Sequence, residues 1–140
     1  MDAKRFVIGS LVGGVAVLST AYLIFAIAPL RHFYAYAMNA GAATGVARES
    51  PLVWAVALGA LSYGALVTLA IGSPPGPLTI GTGMKRGAVV GFLLWFTANF
   101  MFYGISNVGN LTGTVIDPLI ELVPGAIAGG VIALVLGKIR

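Results

Sequence analysis

Four long apolar runs separated by polar or glycine- and proline-rich breaks set the pattern of this chain, at residues 6–28, 52–71, 87–106 and 114–137. Each has the roughly 20 helical residues needed to cross a hydrocarbon core of about 30 Å. The pattern predicts an all-α membrane protein: a four-transmembrane-helix bundle that makes a single transmembrane domain of residues 1–140.

The breaks differ in kind. The second, Gly72-Ser-Pro-Pro-Gly-Pro-Leu-Thr-Ile-Gly-Thr-Gly, reads as a turn, because neither Pro nor clustered Gly sustains a helix. The third, Asn107-Val-Gly-Asn-Leu-Thr-Gly, is short and predicts an antiparallel hairpin of the last two spans. The first runs from Arg31 through His32-Phe-Tyr-Ala-Tyr to Arg48-Glu49-Ser50-Pro51 and is aromatic with little charge, which predicts a short interfacial helix. Ser50 as N-cap and Pro51 at the first helical position would then start the second span.

Composition narrows the class. Only 9% of residues are charged and 59% are hydrophobic, with a mean hydropathy of +0.99, outside the range of ordinary soluble domains. Lys4 and Arg5 followed by an apolar run ending in Ala26-Ile27-Ala28 imitate a signal peptide. The run is too long for one, and Pro29 disfavours the cut, so it reads as a retained span. Lys4, Arg5, Lys85, Arg86, Lys138 and Arg140 fall on one side of a four-span topology and Arg31 and Arg48 on the other. Both termini are therefore expected to be cytoplasmic. The net charge of +4 needs no nucleic-acid partner, because membrane lipid with anionic headgroups accounts for it. With no cysteine, disulfides, thiolate catalysis and Cys-ligated metal are excluded.

Against this apolar background two carboxylates stand out, Asp117 and Glu121, inside the last run. A charge within a span costs several kcal/mol and marks a site with a partner to be found. Steps of four along the third span give Gly87, Gly91, Trp95, Asn99, Tyr103 and Asn107; on the fourth they give Asp117, Glu121, Gly125, Gly129, Ala133 and Gly137. In an antiparallel pair these ridges are complementary. Gly87 and Gly91 meet Gly125 and Gly129 in a close helix contact, and Asn99, Tyr103 and Asn107 meet the carboxylates in the outer half. Gly9, Gly13 and Gly14 on the first span and Gly59, Ala60 and Gly64 on the second extend small-residue packing to every helix.

Topology also brings Arg31, Arg48 and His32 to the outer side. Arg31 is the first expected partner of the carboxylates, Arg48 the second and His32 the third. Pro118 and Pro124 each remove a backbone donor and free carbonyls beside the pair. Two plainer roles compete: Asp117 as a helix-start carboxylate favoured by the dipole, and Trp95, Asn99 and Tyr103 as interhelical packing. One His with two distant carboxylates is no metal-ligand set, and no cofactor is implied. A faint echo, Lys4-Arg5 with Tyr22 against Lys85-Arg86 with Tyr103, hints at two parallel halves.

The run Arg86-Gly-Ala-Val-Val-Gly-Phe, then Trp95, Asn99, Tyr103, Asn107 and Val115-Ile-Asp117, together with Arg31-His-Phe-Tyr, resembles an uncharacterised family of small four-span bacterial inner-membrane proteins of unknown function. The resemblance implies the architecture and an inner-membrane location, and no mechanism. Pro118, Glu121 and Pro124 depart from that family's pattern.

Two function classes lead. The first is a protein with an acidic pocket that binds or transports a cationic or polar small ligand or a proton, working as a homodimer if it transports, since four spans are few. The second is a structural or accessory subunit whose helix faces meet a partner membrane subunit or a second copy. A membrane-embedded enzyme would have to rest on Asp117, Glu121, His32 and Tyr103 alone.

Overall fold

A computed structural model describes residues 1–37, 50, 52–72, 78–106 and 108–139. Among these there are helices and no strands: α1 (Ala3–Ala26), α2 (Ala28–Ala37), α3 (Val53–Gly72), α4 (Ile80–Ile105), α5 (Leu111–Ile120) and α6 (Leu122–Lys138). Four stretches are long and apolar enough to cross a membrane, Ala3–Ala26, Val53–Gly72, Ile80–Ile105 and Leu111–Lys138, the last combining α5 and α6.

Caps explain where the helices outrun the apolar pattern. Helix α4 begins at Ile80, seven residues ahead of the apolar run, so the Ile80-Gly-Thr-Gly end of the expected turn is helical. Thr79 and Thr82 form a reciprocal capping box there, Thr82 N–H donating to Thr79 Oγ1 at 3.1 Å and Thr79 N–H to Thr82 Oγ1 at 3.0 Å. Helix α5 begins at Leu111, because Asn110 Oδ1 accepts from Gly113 N–H at 2.8 Å. Helix α3 starts at Val53, with the Leu52 carbonyl accepting from Ala55 and Val56; Pro51, expected at its first position, lies outside the described residues.

The last span is interrupted, where a continuous helix was expected. Pro124 has no N–H to give the carbonyl of Ile120, and Pro118 none to give that of Thr114, so the ladder breaks at Glu121 between α5 and α6. Glu121 N–H still donates to Asp117 O at 3.0 Å, and Gly125 N–H to Glu121 O at 3.2 Å. The chain therefore continues in the same direction. Both prolines are fully buried.

Packing is centred on the last span, the most buried of the four, while α4 is the least. Val17, Tyr63, Val67, Ile71, Ala128, Ile132 and Leu136 form the core between α1, α3 and α6. Two helix pairs close on small residues. In α1–α3, a Cβ on Gly64 would strike the backbone of Ser10 and Gly14, and one on Gly9 would meet Thr68. In α4–α6, a Cβ on Gly87 would strike the Gly125 carbonyl, and one on Gly129 the Gly83 carbonyl. Backbones can approach this closely only without side chains between them.

At the end holding Lys4, Lys85 and Lys138, arginines complete helix C-termini, whose last carbonyls lack intrahelical donors. Arg5 donates to Leu136 O at 3.1 Å and Ile139 O at 3.3 Å, and Arg86 to Ile71 O at 2.8 Å.

Candidate functional site

At the opposite end the chain folds back on itself. Helix α1 stops at Ile27, whose backbone is extended, and Pro29 leaves the Phe25 carbonyl without its i+4 donor. The short α2 then packs on the start of α5. Asn110 N–H donates to Ala37 O at 3.0 Å and Asn110 Nδ2 to Tyr36 O at 2.8 Å. Gly113 leaves room for the Ala37 side chain, which a Cβ there would strike. One asparagine thus caps α5 and pins α2, setting where the α2 side chains fall.

The pinned helix delivers Tyr34. Its hydroxyl donates to Asp117 Oδ1 at 2.6 Å, while Asn99 Nδ2, from α4, donates to Oδ2 at 2.6 Å. Both oxygens of this half-buried carboxylate are held by neutral donors from two different helices, and such charge-assisted bonds are short and strong. Phe25 and Phe33 pack on the Tyr34 ring with centroids at 4.8 and 5.3 Å. Tyr34 lies outside the four span-length helices, and its hydroxyl is pushed well above the ordinary value of 10.0: first by burial, then by the hydrogen bond to Asp117 and the charges of Asp117 and Glu121. It therefore stays protonated and remains a donor.

Glu121 contrasts with its neighbour one turn away. It sits at the break, half buried, and makes no side-chain cap for α6. Among the described residues its carboxylate has neither a hydrogen-bond donor nor a cation. Nearby, on α3, the Tyr63 hydroxyl is buried and also without a partner, a state that costs roughly 1–3 kcal/mol when nothing completes it.

The structure brings Asn99 and Asp117 together, sets Glu121 beside them, and packs Gly87 and Gly91 against Gly125 and Gly129. Other expected site residues lie elsewhere. Arg31 is exposed and turns back to the Phe25 carbonyl freed by Pro29, its Nε donating at 3.5 Å, so it pairs with neither carboxylate. His32 and Tyr103 are exposed and make no hydrogen bond among the described residues. Arg48 and Asn107 lie outside the described residues. Tyr34 and Tyr63 join the site unforeseen. Tyr34 sits in the aromatic stretch that reads most simply as an interfacial belt, and Tyr63 shows only as one hydroxyl in an apolar run.

No family model, curated protein or solved structure matches this chain.

Proposed function

We propose that this chain is an integral membrane protein crossing the bilayer four times with both termini cytoplasmic, and that it binds or transports a small cation, a polar ligand or a proton at Asp117 and Glu121 in the outer half of the bundle. One observation carries this reading: among the described residues neither carboxylate has a basic partner. An anion at membrane depth is costly, and a structural ion pair would bring its own cation. A carboxylate held only by neutral donors, beside one held by none, leaves neutralisation to something that arrives from outside. The orientation rests on Lys4, Arg5, Lys85, Arg86, Lys138 and Arg140 sharing one side. Phe33, Tyr34 and Tyr36 support an interfacial position for α2. A bacterial inner membrane is proposed from the family resemblance alone.

The test is the melting midpoint of the purified chain in detergent as a function of pH and of sodium chloride, for the wild type, Asp117→Asn and Glu121→Gln. The wild type should respond to cation or proton, and Glu121→Gln should flatten that response. Identical responses in all three proteins end the reading.

A second reading, an accessory subunit or a homodimer, is favoured by the outward face of α4. Phe92, Phe96 and Phe100 stack along it with centroids 5.4 and 4.4 Å apart, on the least buried of the four long helices. Light scattering in detergent tests it, since a monomer at every concentration removes the second copy.

A further inference from the structure

Tyr63 keeps only 6% of its surface exposed, and among the described residues its hydroxyl is the buried side-chain oxygen left without a hydrogen-bond partner. Folded interiors rarely leave a phenol in this state unless a water or an ion completes it. The surroundings distinguish the two. The Tyr63 hydroxyl and the backbone carbonyl of Glu121 both crowd the point where Gly91 would carry a Cβ, so Tyr63 reaches from α3 to the break between α5 and α6. The break adds two acceptors: the Glu121 carboxylate, with no donor among the described residues, and the Ile120 carbonyl, to which Pro124 cannot donate. Asp117 already has one donor on each oxygen, from α2 and α4. One phenol, Tyr34, thus reaches the acidic pair from α2, and the other, Tyr63, reaches the backbone of Glu121 from α3.

We propose that Tyr63 and Glu121 hold one small monovalent cation, sodium or ammonium, between α3, α4 and the break in the last span, with the phenol oxygen and carbonyls at the break completing its shell. This rests on the acidic pair being a cation site, and it adds the class of ion and an inward ligand. Ligand supply sets the valence. Each oxygen of Asp117 already accepts a hydrogen bond, which leaves the Glu121 carboxylate as the anionic ligand, whereas a divalent ion calls for more anionic oxygens, and among the described residues no three His, Asp or Glu converge. The close packing around Gly87, Gly91 and Gly125, where even an added Cβ would strike a neighbour, favours a small ion over an organic ammonium. Interrupted helices offer carbonyls to monovalent cations inside bundles by the same physics.

The experiment measures the melting midpoint of the full chain in detergent at constant ionic strength, replacing N-methyl-D-glucamine chloride by sodium chloride in one arm and ammonium chloride in the other. The wild type should gain on the order of 3 °C or more once the ion is tenfold above its dissociation constant. Whichever arm gives the gain identifies the ion. Tyr63→Phe should have a higher midpoint than the wild type in N-methyl-D-glucamine, because it deletes an unpartnered buried hydroxyl, and should lose most of the gain; Glu121→Gln should lose it all. A gain lost in Glu121→Gln but kept in full by Tyr63→Phe overturns the role of Tyr63 and leaves the cation reading standing. No gain with either ion overturns the inference, and the broader reading then rests on its proton arm.

Discussion

The two ends of the seam between α4 and the last span are built on opposite principles. At one end Gly83 and Gly87 lie backbone to backbone with Gly125 and Gly129, with no side chain between them. At the other, Asn99 bonds Asp117, two buried prolines each remove a donor from the helical ladder, and the Glu121 side chain has no partner among the described residues. Close backbone contact gives rigidity and leaves no room for chemistry. The polar end gives up part of its helical ladder and in return presents oxygens that are not already in use. The rigid half holds the helices so that the interrupted half keeps its geometry, which is what a binding site needs from a scaffold.

The strongest way to break this contrast is to overpack the glycine end. Gly129→Leu drives a side chain into the Gly83 carbonyl, a backbone atom that cannot rotate away. The expected loss is about 3 kcal/mol or more, at the upper end for overpacking, read as a fall in the melting midpoint in detergent. Gly59 provides the control, since nothing lies within 4 Å of its virtual Cβ. Gly59→Ala should be neutral or gain up to about 1 kcal/mol from helix propensity. Equal effects at the two positions would mean that the close contact does not exist.

The next effect belongs to Asp117. Asp117→Asn replaces one of two charged acceptors by an amide nitrogen, which turns a donor toward either Tyr34 or Asn99. A loss of about 1–3 kcal/mol is expected. In a double-mutant cycle with Tyr34→Phe the two changes should couple by at least about 0.5 kcal/mol, and strict additivity would dissolve the hydrogen bond. Tyr34 also predicts a pH dependence. Its folded-state value lies above the ordinary 10.0, so the folded chain holds this proton more tightly than the unfolded one. The stability it contributes is complete below pH 10 and falls as the pH rises beyond it. The melting midpoint of the wild type should therefore drop more steeply than that of Tyr34→Phe above pH 10, and parallel curves would contradict the assignment.

How much of this could be read from the residues depends on whether the cause is local. Steps of four put Asn99 and Asp117 on facing ridges, because helix periodicity and a short hairpin leave little choice of face. The start of α4 at Ile80 was hidden, since Gly81 and Gly83 look like turn residues until Thr79 and Thr82 are seen to cap one another. Arg31 misled for a similar reason. Charge and topology point it at the carboxylates, but Pro29 frees a carbonyl nearer to hand, and the guanidinium turns there. Tyr34 depends on Asn110 pinning α2, a contact between residues 74 positions apart. Tyr63 carries no mark at all, because a hydroxyl without a partner is a property of packing.

Two carboxylates one turn apart in the same span should respond in opposite ways, and the smallest effect belongs to Glu121. If a cation of this chain held Glu121, deleting its charge would strand that cation and cost about 3–5 kcal/mol. Among the described residues there is no such cation, and Arg31 is engaged with Phe25. Glu121→Gln should therefore change stability by no more than about 0.5 kcal/mol in a cation-free buffer, or raise it, since a neutral amide sits more easily in a half-buried site without donors. Asp117→Asn under the same conditions should show its full loss. Combining Glu121→Gln with Arg31→Gln should add nothing beyond the separate effects. A large loss in Glu121→Gln, relieved when Arg31 or Arg48 is also neutralised, would identify an internal ion pair and turn the polar end into a structural element like the glycine end.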